Sequence, residues 1–193
     1  MKSGLLSFFL WICVITLSAQ RDYSGIWIGT SGTVNFVSEA PLELIRASSK
    51  NLKGLIDPEK RTFAFTLSTR SFKGFNSPLQ QEHFYENYIE THLYPAASFE
   101  GKIIELVDLT EPGEYRIRAK GMLDIHGVTN ERVIDVDVVS EGDRMIASAD
   151  FDVMLEDHDI TIPKMVYQKI SETIRVSVRI KFEPGKQAHD RNF

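Results

Sequence analysis

The chain has 193 residues, 42% hydrophobic and 25% charged, with a formal net charge of −5. These are globular proportions, and they exclude a disordered, collagen-like or polytopic membrane chain. The acidic balance argues against a nucleic-acid surface, and a single cysteine excludes a disulfide framework and a cysteine-based zinc site.

In chain order, the first segment reads as a targeting signal. Lys2 precedes an uncharged run from Leu5 to Leu17. That run is shorter than the roughly 20 residues needed to span a bilayer but fits the apolar region of a secretory signal. Ala19 supplies a small residue for cleavage. The expected division is a signal peptide over residues 1–19 and one domain over residues 20–193, in the periplasm or secreted. An uncleaved anchor is the alternative, and Ile12 before Cys13 argues against a lipoprotein. Cleavage would remove Cys13, leaving no thiol to mispair in an oxidising compartment. It would also leave no stable membrane anchor.

The rest of the chain is dominated by period-2 alternation, the mark of half-buried strands. Val34 and Phe36 belong to one short strand. Phe63, Phe65 and Leu67 face one way in a second, and Phe99, Gly101 and Ile103 belong to a third. The clearest runs from Glu114, with Tyr115, Ile117, Ala119, Gly121, Leu123 and Ile125 on one face and mostly charged residues on the other. Ile134, Val136 and Val138 follow. Then come Ala147 to Leu155 and Ile174 to Phe182, each alternating cleanly. Turn residues separate these runs at Asp57-Pro58, Pro112-Gly113, His126-Gly127 and Glu141-Gly142. Short connections of this kind favour antiparallel pairing.

The exception is Pro78 to Ile89. Pro fits a first helical turn, and Leu79, His83, Phe84, Asn87 and Tyr88 recur at helical spacing. Tyr94-Pro95 closes the region. The tail from Pro184 onward is polar and expected to be loose. Seven or eight strands and one short helix suggest a closed antiparallel barrel, which has no sheet edges. A sandwich is the alternative, and periodicity alone does not separate a hollow barrel from a packed one.

Two segments carry a family resemblance. The first is His83 to Gly101, where Tyr94-Pro95, Ala97, Phe99 and Gly101 match a short helix, then Tyr-Pro, then a strand with Phe-x-Gly. The second is Gly121 to Glu131, GMLDIHGVTNE. Both resemble the YceI-like family, and the resemblance extends over roughly Tyr23 to Phe182. Asp124 stands where that family usually has Thr. Glu156 to Pro163 replaces the Asp-Phe-Gly that many members carry. The resemblance implies an eight-stranded lipocalin-like barrel with an apolar tunnel that holds a polyisoprenoid or other long-chain amphiphile without catalysis.

The tunnel would be lined by Phe36, Phe63, Phe65, Leu67, Phe99, Ile103, Ile117, Leu123, Ile125, Val136, Phe151, Val153 and Val176, with Phe84 and Tyr88 capping it from the helix. Without the resemblance the pattern alone favours a filled core built from the same side chains; the resemblance reverses that preference. Arg70, Lys73 and His83 could meet a polar head group, or serve only solubility. No cofactor is implied; a bound isoprenoid or acyl lipid takes that place, and a homodimer is left open.

His83, His92, His126 and His158 lack the spacing of a metal site, and His126 is expected to stabilise its own turn. Asp157, His158 and Asp159 read as an acidic solvated loop. No Gly-x-Ser-x-Gly elbow is present. The competing functions are a packed barrel acting through a protein partner and an enzyme on a bound lipid head.

Overall fold

A computed structural model describes residues 23–186; the expected signal peptide lies outside them. The strands are β1 (Tyr23–Glu39), β2 (Leu44–Asp57), β3 (Thr62–Ser68), β4 (Ala96–Ile103), β5 (Gly113–Ile125), β6 (Val128–Ser140), β7 (Met145–Met154) and β8 (Thr173–Lys186). Each pairs antiparallel with the next, and β8 returns to β1, closing the barrel. The sandwich alternative is thereby excluded.

Alternation builds the barrel wall. In β5, Ile117, Ala119, Gly121 and Leu123 are buried while Arg116, Arg118, Lys120 and Met122 are exposed. The β5–β6 hairpin turns through His126 and Gly127, with Ile125 paired to Val128. Both turn residues have positive φ, 57° and 71°, as a two-residue turn matching strand twist requires. β8 runs through Pro184 to Lys186, so the expected loose tail does not start at Pro184; the remainder of that segment lies outside the described residues.

β2 is the strand that the alternation does not reveal. Ile45, Ala47 and Ser49 are buried, then Leu52, Gly54 and Ile56, so the buried parity switches at Lys50 and Asn51. The β1–β2 register shifts at the same place. Such an irregularity turns the following side chains to the other face and erases the period-2 signal.

The expected helix is present, in two parts. Ser77 caps α1 (Pro78–His83), its hydroxyl accepting from the Gln80 amide at 3.2 Å. A π-helical turn, Phe84–Tyr88, follows, with Ile89 N–H donating to the Phe84 carbonyl at 3.0 Å. The widened turn directs Tyr85 into the protein, where its hydroxyl donates to the Phe72 carbonyl at 2.6 Å. No helix among the described residues is long and apolar enough to cross a membrane.

Along its axis the barrel has two different halves. One end is packed solid: Phe182, Met145, Leu109 and Val138 are almost fully buried, with Trp27, Phe63, Ile103 and Ile117 around them. Towards the other end several inward side chains of β6, β7 and β8, namely Val136, Phe151, Val176 and Val178, are only partly buried. They face space rather than one another.

The wall is also uneven. β6 pairs with β5 along its whole length and β7 with β8 along its own. Yet β6 and β7 pair only from Asp137↔Ser148 to Ser140↔Met145. Beyond that the two strands splay. Arg132 bridges the seam, its guanidinium donating to the Asp152 carbonyl at 2.7 Å and lying 3.7 Å from the Asp157 carboxylate. Asn130 donates to the Asp157 carbonyl at 2.6 Å.

Candidate functional site

The hollow half encloses a cavity of about 590 Å³, within the ~300–1,000 Å³ typical of small-molecule sites. Ile45 and Leu52 of β2, Phe65 and Leu67 of β3, Phe99 of β4, and Leu123 and Ile125 of β5 form one side. Ile134 and Val136 of β6, Phe151 and Val153 of β7, and Val176 and Val178 of β8 form the other.

An aromatic cluster closes over this space. Phe36 stacks on Phe84 at 5.4 Å between ring centroids and meets Phe72 edge-on at 5.1 Å. Phe75 lies 5.0 Å from Phe84. All four rings line the cavity. Edge and offset contacts of this kind are favourable beyond simple area burial. Phe72 and Phe75 carry no sequence signal, because their connection between β3 and α1 follows neither helical nor strand periodicity.

Twelve of the fifteen expected apolar residues line the cavity: Phe36, Phe65, Leu67, Phe84, Tyr88, Phe99, Leu123, Ile125, Val136, Phe151, Val153 and Val176. Phe63, Ile103 and Ile117 do not. They are buried in the packed floor. Alternation assigns a side chain to a face of the sheet but not to a depth along the barrel.

Of the three expected head-group residues, only His83 lines the cavity. Arg70 and Lys73 lie instead against Tyr85, with the Arg70 guanidinium 5.5 Å and the Lys73 ammonium 5.4 Å from its ring centre. The Lys73 ammonium also donates to the Tyr85 hydroxyl at 3.1 Å. Proximity to the helix in sequence placed them near the site but on its outer side.

The opening of the cavity lies between the β1–β2 turn, α1 and the connection from Leu155 to Glu172, where the exposed lining residues Leu79, His83 and Lys169 are found. Glu43 also lines it, its carboxylate accepting from the Gln80 side-chain amide at 2.9 Å and from Asn76 at 3.3 Å. Burial pushes the Tyr88 phenol above its usual range, so it remains a neutral hydroxyl facing the cavity. The carboxylates of Asp57, Glu105 and Asp108 are held low by neighbouring donors, but none of them lines the cavity. Among the described residues, no group of three or more His, Cys, Asp or Glu side chains could hold a metal ion.

The two segments singled out in the sequence meet in space. Tyr94 packs edge-on against His126, with ring centres 4.5 Å apart. His126 Nε2 lies 2.8 Å from the Glu90 carboxylate and Nδ1 lies 3.0 Å from the His158 carbonyl. Both partners are oxygen acceptors within hydrogen-bond reach of the ring. His126 therefore ties three segments together rather than bracing only its own turn. The expected solvated loop at Asp157–Asp159 needs a similar correction. The two Asp residues are exposed, but His158 is fully buried, with Nδ1 donating to the Val128 carbonyl at 3.2 Å. Ile160 beyond it lines the cavity.

The pattern of a YceI-like domain matches residues 29–182. The chain belongs to the YceI-like family. Solved structures with the same fold include a polyisoprenoid binding domain from Saccharophagus degradans. It is 17% identical, with 83% of this chain and 98% of that chain covered and a TM-score of 0.72. BcnA from Burkholderia cenocepacia is 15% identical over 78% of this chain and 95% of its own, with a TM-score of 0.65. The YCEI protein of Campylobacter jejuni is 14% identical over 72% and 85%, with a TM-score of 0.57. At these identities the likeness is one of fold. No match was found among curated proteins. The Tyr94–His126 contact lies beside the cavity and belongs to the barrel's scaffold, while Phe99, Leu123 and Ile125 of the same two segments line the cavity wall.

Proposed function

We propose that the protein binds a long-chain isoprenoid or other amphiphilic lipid in its barrel and carries it, without catalysis, through the periplasm or outside the cell. The apolar cavity of about 590 Å³ is the observation that carries this reading. Family membership supports it, as does the fold shared with a structure described as a polyisoprenoid binding domain.

The mechanism is passive. Each methylene moved from water into the cavity contributes about 0.8 kcal/mol, and a long tail retains a surplus after the costs of ordering and association. The polar head stays at the opening, where Tyr88, His83 and the Glu43–Gln80 pair can meet it. A packed barrel working through a protein partner would instead need the hollow half to be filled.

Two tryptophan substitutions test the reading. Phe151 faces the cavity and is only partly buried. Phe151→Trp should change stability by less than about 1 kcal/mol while reducing uptake of geranylgeraniol or palmitate. Phe65 touches the floor, 5.8 Å from Phe63 and 6.0 Å from Phe182. Phe65→Trp should cost about 1–3 kcal/mol through overpacking. Denaturant titration beside a lipid-uptake assay reads both. Equal destabilisation by the two variants, with no change in uptake, would contradict the proposal.

A further inference from the structure

The opening of the cavity carries exposed apolar side chains that its interior does not explain. Met165 is 96% exposed, Leu42 66%, Leu79 59% and Tyr167 54%. Such residues scattered singly are ordinary, but a group around one opening marks an interaction surface.

Hydrogen bonds place them together. Met165 is the middle residue of a 3₁₀ turn, Lys164–Val166, braced by Val166 N–H to Pro163 O at 3.0 Å and Lys169 N–H to Val166 O at 2.8 Å. Leu42 N–H donates to the Gln168 carbonyl at 2.9 Å, which ties the β1–β2 turn to this connection. The Gln80–Glu43 bond ties α1 to the same turn. The rim is continuous with the tunnel, because Val166 and Leu79 line the cavity.

Charge narrows the partner. The rim also carries Glu43, held by Gln80 and Asn76, and Glu172, held by the Tyr167 hydroxyl. Lys164 and Lys169 bracket Met165 and Tyr167, and neither ammonium has an ion-pair partner among the described residues. Apolar tips set between lysines, with a tyrosine beside them, match the boundary between acyl chains and phosphate groups. We propose that this rim docks on a phospholipid bilayer, so that a tail passes between membrane and cavity without crossing water. The purpose assigned to docking rests on the lipid-carrier reading; the docking itself is measured separately.

The test is co-sedimentation of the purified protein with phosphatidylcholine vesicles containing phosphatidylglycerol. It uses wild type, Met165→Glu and Lys164→Glu; neither substituted residue lines the cavity. The wild type should pellet with the vesicles. Met165→Glu should weaken partition about tenfold and Lys164→Glu about fivefold. Thermal midpoints, and the lipid bound when offered in detergent, should be unchanged. A wild type that stays in the supernatant, or a Met165→Glu variant that pellets as wild type does, overturns the proposal. A protein that carries lipid yet ignores vesicles overturns docking alone. One that pellets but never takes up a tail supports docking and overturns the carrier reading.

Discussion

Gly101 and Gly121 face each other across β4 and β5. A Cβ on Gly101 would lie 2.1 Å from the Lys120 carbonyl oxygen, and one on Gly121 would lie 2.2 Å from that of Glu100. Backbone gives little, so Gly101→Ala should destabilise by about 3 kcal/mol, at the upper end of overpacking costs, read as a lower urea midpoint. Gly127 is required twice over, by its positive φ and by the Tyr94 ring 2.4 Å from where a Cβ would stand. The sequence displays these glycines as a motif but not their reason, since the clash arises between residues far apart in the chain. A second residue-scale effect concerns pH. Glu105 accepts from the Arg118 backbone N–H and then from its guanidinium, and these bonds hold its carboxyl below the usual range. A carboxyl lowered by folding contributes stability that is present above its ordinary range and lost as pH falls through the lowered value. Thermal scans from pH 7 to pH 3 should therefore show a smaller loss for Glu105→Gln than for wild type.

At the scale of elements, legibility followed regularity. β5 and β8 announce themselves because inward and outward positions alternate without interruption. β2 does not, because its buried parity switches between Ser49 and Leu52. The helix at Pro78 was readable from its leading proline and spacing, whereas its Ser77 cap and the π-helical turn that buries Tyr85 were not. The β6–β7 seam left no trace at all, since both strands alternate normally and only their pairing stops. In its place Arg132 reaches across from β6. Its side chain is partly shielded, so Arg132→Ala should cost about 1–2 kcal/mol, as expected for hydrogen bonds from a charged group. Amide exchange should accelerate in residues 128–136 more than in β5. Uniform acceleration across the barrel would instead indicate global destabilisation.

For the whole molecule, alternating residues and turns define an all-β antiparallel barrel, and two short motifs define its family. The division into a packed floor and a hollow upper half was beyond them. Val138 and Val136 are neighbours on the same face of β6, yet one is 1% exposed in the core and the other borders the cavity. That difference depends on what the opposite wall supplies at each depth, which no single strand records. It is also the difference on which function turns, because a filled barrel has no place for a tail. Native mass spectrometry of the protein purified without delipidation measures it most directly. A carrier should show an added mass that organic extraction removes and that returns when geranylgeraniol or palmitate is offered. A single ligand-free mass before and after that offer would contradict the account.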